Sequence, residues 1–129
     1  MSKEEERIAR GMKTRRNVLG DAWVDAANAK RTEFDSDFQD YITGMAWNDV
    51  WSRPGLTKRE RSMITIALLA GLGQWDEVAM HTRATLNTGA SRDDLREVVF
   101  HVAVYAGVPA ANHAIKVMKQ VFAEIDAKT

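Results

Sequence analysis

An apolar run from Met63 to Gly73, MITIALLAGLG, constrains the fold of this chain more than any other segment. The run is too short to cross a membrane, which takes about 20 apolar residues, and it lacks the polar alternation of a half-buried strand. Thr57 and Glu60 precede it at the spacing of a capping box, and Gly71 and Gly73 supply a C-terminal stop. We therefore predict a helix that starts near Thr57 and is buried on nearly every face.

Helical signals also fill the rest of the chain, which contains only two prolines and no hairpin dipeptide. A chain of 129 residues has the size of one domain. We predict an all-α fold, a compact single-domain helical bundle of about six to seven helices over residues 1–129. The other predicted helices cover approximately residues 4–19, 22–28, 35–50, 75–87, 91–105 and a last stretch to Asp126, with turns at RPGL (53–56) and GVP (107–109).

Two groups of apolar residues belong to the predicted helix over 35–50 and to the turn after it. The helical spacing places along one face Phe38, Tyr41, Ile42 and Met45, with Asp49 and Val50 as further candidates. Trp47 and Trp51 lie four residues apart, and we expect them to pack in the core or at a subunit interface rather than to stack on a ligand.

The composition excludes several classes of function. Lys and Arg number 18, and Asp and Glu also number 18, so no field of one sign would hold nucleic acid or an anionic membrane. The absence of cysteine excludes disulfides, thiolate metal sites and thiol nucleophiles. Because the N-terminus is charged and no apolar stretch is long, we expect a soluble, cytoplasmic protein without a nucleic-acid or membrane partner.

Two pairs of titratable side chains stand four residues apart on predicted helices. In the first pair, Glu77 could orient the imidazole of His81 and raise its proton affinity, although an ordinary exposed helix pair would look the same. The second pair is His101 and Tyr105, at a helix end that could face a small site or form a structural corner. His113 is expected on the surface.

Arginines form a second set of candidates. Arg53 lies in the rigid Pro-Gly corner, where its guanidinium could hold a carboxylate through two hydrogen bonds or simply be solvated. Arg59 and Arg61 lie in the first turns of the next helix, where the helix dipole disfavours cations, and an anion site would explain that placement. Arg59 is expected to be exposed.

Residues 47–111 carry the segments WNDVWSRPGLTKRERSMITIALLAGLG, WDEVAMH and HVAVYAGVPAA. They resemble the carboxymuconolactone decarboxylase family, and within it the γ-carboxymuconolactone decarboxylases of aromatic-acid breakdown. The resemblance places His81 at the histidine of the family's E-x-x-x-H motif, Arg61 at a recurrent arginine, and Tyr105 in its Y-A-G-x-P signature. It implies an alkylhydroperoxidase-like fold.

The implied reaction is the loss of carbon dioxide from γ-carboxymuconolactone, a dicarboxylic lactone, to give the enol-lactone of β-ketoadipate without a cofactor. The resemblance further implies a closed homo-oligomer, most simply a hexamer. In this interpretation His81 and Glu77 are the catalytic pair, and Arg53, Arg61, Tyr105 and His101 bind the substrate.

Other interpretations start from the same residues. His81, His101, Glu77 and Glu97 lack the H-x-x-x-H or E-x-x-H spacing that places metal ligands on one helix, so we expect no metal site. The disulfide-reductase activity of the wider superfamily requires cysteines that this chain lacks. A noncatalytic, oligomeric ligand-binding protein of the same fold is the alternative that stays open.

Overall fold

The structure, a computed structural model, describes all residues from 1 to 129 and contains helices and no strand. The predicted all-α class and the number of helices are confirmed. The seven α-helices are α1 (Lys3–Leu19), α2 (Asp21–Ala29), α3 (Ser36–Ile42), α4 (Lys58–Gly71), α5 (Trp75–Thr88), α6 (Arg92–Ala106) and α7 (Val108–Ala127), and a π-helical segment, Thr43–Trp51, continues α3.

Local capping signals of the sequence mark several helix ends. Ser91 caps α6 through a capping box with Asp94. Gly89 ends α5 in the left-handed conformation, with φ of +90°, which an L side chain rarely adopts. Gly107, with φ of +104°, separates α6 from α7, whose first turn contains Pro109.

The chain divides into two units, residues 1–57 and residues 58–129. In the first unit, α1 packs against the π-helical segment, and Gly11 lies so close to the backbone of Thr43 that a side chain would not fit. Trp47 and Trp51 are buried with ring centroids 5.3 Å apart, which confirms their predicted packing role.

The apolar face predicted for residues 35–50 is mostly exposed. Phe38 and Tyr41 of α3 and Met45 of the π-helical segment are exposed, and Ile42 is half-buried. Thr43 is buried together with the two tryptophans. From Thr43 onward the π-helix bonds residue i to residue i+5, so the side chains of that segment follow a register different from that of an α-helix.

In the second unit, α4 packs against α5, α6 and α7. The core is apolar and contains Ile66, Ala70, Val78, Leu95, Val98, Val102, Ala111, Ala114 and Met118. The prediction that α4 is buried on nearly every face is wrong, because Ile64 and Leu68 are exposed. No helix in the chain combines the length and the apolar character that a membrane span would need.

Candidate active site

His81 is the most deeply buried titratable side chain among the candidates, with 5% of its surface exposed. It lies on the face of α5 that also buries Val78, Thr82 and Thr85. Burial lowers the pKa of His81 from its ordinary value of 6.5 to about 4. The imidazole is therefore neutral at pH 7.

The predicted effect of Glu77 on His81 is wrong. The carboxylate was expected to raise the proton affinity of His81, but burial of the imidazole lowers its pKa. Glu77 lies one helical turn earlier on α5 and is exposed. An exposed carboxylate is screened by water, so it stabilises a nearby charge weakly.

Arg61 is the second buried candidate, with 8% of its surface exposed. The next residue, Ser62, shares a hydrogen bond of 2.7 Å with Thr88, which ties the start of α4 to the end of α5. Thr88 lies about two turns, or about 10 Å, beyond His81 along the axis of α5. Within the second unit, the fold thus buries a guanidinium and a neutral imidazole on two packed helices.

Lys58 is a cation that the sequence analysis missed. It is half-buried at the start of α4, and burial together with the charge of Arg61 lowers its pKa. The sequence signal that could have found it is the i, i+3 spacing of Lys58 and Arg61 on one helix face. Two close cations on a partly buried surface favour the binding of an anion.

Two other arginines of the second unit serve structural ion pairs. Arg59 is exposed, as expected, and donates two hydrogen bonds of 2.6 and 2.8 Å to Asp94, which joins α4 to α6. This bidentate pair holds the pKa of Asp94 well below its usual range. It also accounts for the unfavourable position of Arg59 near the helix N-terminus. Arg83 pairs with Glu124 of α7 at 2.6 Å.

His101 and Tyr105 lie in a different environment from His81. Their rings stack with centroids 6.2 Å apart, and Tyr105 is 84% exposed. Both residues line a cavity of about 350 Å³ between α4 and α6, together with apolar side chains such as Leu68 and Leu72. No residue of α5 lines this cavity, so the fold of the second unit does not bring His101 and Tyr105 into a common cavity with His81.

The remaining predicted residues are on the surface. Arg53 is exposed in the turn of the first unit, where its backbone N–H donates to the carbonyl oxygen of Val50 at 3.2 Å. His113 is exposed, as expected, and its ring stacks on Trp75 with centroids 4.0 Å apart. No group of three His, Asp or Glu side chains is arranged to hold a metal ion.

The fold and the site define an all-helical protein with a buried neutral histidine and a buried arginine. The model of the carboxymuconolactone decarboxylase family matches residues 36–120, and the chain belongs to this family. The family resemblance described above is thereby confirmed.

Relatives from three organisms are similar to this chain. A 4-carboxymuconolactone decarboxylase of Acinetobacter baylyi is 42% identical over 95% of this chain and 91% of its own length. A nitrosuccinic acid decarboxylase of Metarhizium robertsii is 40% identical over 85% of this chain and 77% of its own length. A 4-carboxymuconolactone decarboxylase of Pseudomonas putida is 46% identical over 36% of this chain and 96% of its own length.

Proposed function

We propose that this chain is a carboxy-lyase that converts γ-carboxymuconolactone to the enol-lactone of β-ketoadipate, in the protocatechuate branch of aromatic-acid breakdown. The observation that carries the proposal is the similarity, over 95% of the chain, to a 4-carboxymuconolactone decarboxylase. A noncatalytic ligand-binding role is the less favoured alternative. We further propose that residues 1–129 act as one functional domain in the cytoplasm.

The chemistry of the substrate explains why the enzyme would need no cofactor. The carboxylate leaves a ring carbon that is linked through a carbon–carbon double bond to the lactone carbonyl. The bonding electrons therefore move through the double bond onto the carbonyl oxygen, which gives a dienolate, while carbon dioxide departs. A new C–H bond then forms when a proton reaches the α carbon. The protein must bind the carboxylates, stabilise the oxygen and deliver that proton.

The cations at the start of α4 are proposed to bind a substrate carboxylate. Arg61 is buried, and the pKa of the nearby Lys58 is lowered first by its own partial burial and then by the charge of Arg61. A carboxylate between them would relieve this repulsion and accept charge-assisted hydrogen bonds. Arg53 is proposed as a further carboxylate contact.

His81 is proposed to deliver the proton, although it is neutral in the free protein. A doubly charged substrate beside a buried imidazole favours the imidazolium, so His81 would take up its proton as the substrate binds. Calorimetric binding of an unreactive dicarboxylate at pH 7, repeated in buffers of different ionisation enthalpy, should reveal this uptake. Binding without proton uptake would contradict the proposed role of His81.

Glu77, His101 and Tyr105 are proposed in supporting roles. Glu77 would orient His81 along α5. Because the second unit does not bring His101 and Tyr105 into a common cavity with His81, they would donate hydrogen bonds to the lactone carbonyl oxygen of a substrate bound by a neighbouring subunit. Because Tyr105 and the neighbouring Leu68 and Leu72 are exposed, a second subunit that covers the α4–α6 face would exclude water there. We therefore propose a closed homo-oligomer, a hexamer, with sites at or near subunit contacts.

The proposal is tested by following the loss of γ-carboxymuconolactone in ultraviolet absorbance with dialysed protein, with and without chelator. We expect full activity in both conditions. Activity that is lost on chelation and restored by zinc or iron would contradict the cofactor-free mechanism. Stable binding without turnover would favour the noncatalytic alternative.

Nitrosuccinic acid should be assayed in parallel because of the relative in Metarhizium robertsii. It is also a dicarboxylic acid with an electron-accepting group, so the two reactions would need similar binding chemistry. We expect γ-carboxymuconolactone to have the higher kcat/KM, and the opposite order would reassign the substrate while leaving the reaction class intact.

A further inference from the structure

Phe34 is almost fully exposed, with 98% of its surface accessible. Its own chain therefore leaves the aromatic ring uncovered. Two carboxylates and a second aromatic near it in the sequence, Glu33, Asp37 and Phe38, are also exposed. An exposed aromatic side chain is typical of an interaction surface, where aromatic residues are enriched, and the carboxylates would belong to its polar rim.

The turn that carries Phe34 is ordered by hydrogen bonds. Thr32 donates its N–H to a carboxylate oxygen of Asp35 at 2.8 Å, and the N–H of Phe34 donates to the hydroxyl of Thr32 at 3.3 Å. The N–H groups of Asp35 and Ser36 both donate to the carbonyl oxygen of Thr32. A preorganised turn loses little conformational entropy when its side chain is bound.

A groove of matching character lies between α6 and α7 in the second unit. Its volume is about 420 Å³, and its apolar lining consists of Leu95, Val99, Phe100, Ile115, Met118 and Phe122. The polar residues that line it are all cations, namely Arg92, Arg96 and Lys119.

The cations of the groove differ in how firmly they are held. Asp126 accepts hydrogen bonds of 2.7 and 3.2 Å from Arg92, whose guanidinium lies 4.4 Å above the ring of Phe122. Arg96 pairs with Asp93 at 3.0 Å, and Lys119 makes no ion pair. An incoming carboxylate would find the ammonium group of Lys119 available.

We propose that Phe34 of one chain inserts into the α6–α7 groove of a second copy, where Glu33 and Asp37 meet the cations of its rim. This contact rests on the proposed homo-oligomer and supplies one of its interfaces. Because it joins two different surfaces, it is heterologous, and repetition around a rotation axis closes it into a ring. A hexamer follows if a second, self-complementary contact pairs two such rings.

Phe34 is the anchor of this contact rather than its whole area. A buried aromatic covers about 150–250 Å², whereas a stable interface buries about 800 Å² on each partner. Anchors of this kind dominate the affinity, and the surrounding charges select the partner and its orientation. Loss of the ring should therefore weaken assembly more than loss of one carboxylate.

Site-specific crosslinking tests the contact directly, because the chain has no native cysteine. A chain with Glu33→Cys and a chain with Lys119→Cys, distinguished by tags, are co-expressed and treated with a short bis-maleimide. We expect crosslinks between unlike chains, and far fewer when Leu86→Cys, also an exposed position, replaces Lys119→Cys. Crosslinks between two Glu33→Cys chains alone would overturn the proposal.

Light scattering over a dilution series gives the second test. Phe34→Ser should weaken assembly at least about tenfold, a hot-spot effect, whereas Leu86→Ser should leave it unchanged. Asp37→Lys should also weaken assembly, and Lys119→Glu in the same chain should restore part of it.

The outcomes separate this inference from the proposed oligomer. A wild-type chain that is monomeric would contradict both the proposed homo-oligomer and the Phe34 contact. A wild-type oligomer that Phe34→Ser leaves intact would overturn the Phe34 contact only. If octanoate binds the groove of the wild-type oligomer and Lys119→Glu abolishes that binding without changing its size, the groove is a small-molecule site and not a subunit contact.

Discussion

The candidate site has a buried part and an exposed part. On α4 and α5, Arg61 and His81 are less than a tenth exposed, and the pKa of His81 falls to about 4. On α6, His101 and Tyr105 have the same four-residue spacing as Glu77 and His81, yet they line the open cavity between α4 and α6. Equal spacing in the sequence thus places His81 and Tyr105 in two chemically different environments.

The difference follows from what each helix packs against. On α5, His81 follows the buried Val78 by three residues and is itself buried. On α6, Tyr105 follows the buried Val102 by the same three residues, but it lies in the last turn of the helix and is 84% exposed. Burial strengthens electrostatic interactions, and water weakens them at the exposed pair. Substitutions should therefore have larger effects at His81 than at Tyr105.

The largest expected effect is that of His81→Gln. Removing the proposed proton donor should lower kcat by about 10²–10⁴, with a nearly native circular dichroism spectrum. Glu77→Gln is the matched control on the same helix, and we expect a loss of less than about tenfold because Glu77 is exposed. Near-native turnover of the His81 variant would place His81 among the structural core residues instead.

The second effect is on stability as a function of pH. Between pH 6.5 and about 4, His81 binds a proton in the unfolded chain but not in the folded one. The free energy of unfolding therefore rises with pH in this window, and the contribution is complete above pH 6.5. A shift of this size corresponds to about 3 kcal/mol.

Urea unfolding at pH 4.5, 5.5 and 7 checks this expectation. The wild-type chain should lose stability as the pH falls, and His81→Gln should lose less, since glutamine does not titrate. The Arg59-paired carboxyl of Asp94 has a lowered pKa and titrates below this window. Parallel pH profiles for the two chains would mean that His81 is solvated in solution.

Much of the fold could be predicted because local signals set the helix ends. Ser91 with Asp94 and the glycines at 89 and 107 act through the backbone within one turn, so their effect does not depend on distant contacts. Burial depends on which neighbours cover each face. The exposure of Ile64 and Leu68 on α4 could not be predicted from their own apolar character, and neither could the exposure of Phe38 on α3 or the π-helical register of Thr43–Trp51.

The site was predictable to a similar extent. His81 and Arg61 were identifiable from the sequence, and both are buried, but the predicted direction of the pKa shift of His81 is wrong. The direction depends on the number of atoms around the imidazole, which spacing along a helix does not reveal. Lys58 was missed because its relation to Arg61 matters only once both are partly buried.

A smaller effect is expected for Arg53→Ala, which should raise KM about tenfold through the loss of a carboxylate contact. The free energy of unfolding should change by less than about 0.5 kcal/mol, because an exposed turn residue contributes little to packing. Arg59→Ala is the matched control: it breaks the pair with Asp94 but should leave KM unchanged. Unchanged kinetics of the Arg53 variant would make Arg53 a solvated surface residue.

The smallest expected effect, Tyr105→Phe, decides whether the exposed part belongs to the site at all. A hydrogen-bond donor in a closed oxyanion site contributes about 2.7–4 kcal/mol, but water competes for a hydroxyl on a residue that is 84% exposed. If Tyr105 stays open to water, kcat should fall only a few-fold, and His101→Gln should behave alike. If a second subunit covers the α4–α6 face, the loss should approach 10²-fold in the oligomer and shrink when Leu68→Ser opens that face. A loss that is equally small in every assembly state would restrict the chemistry to the buried residues of α4 and α5.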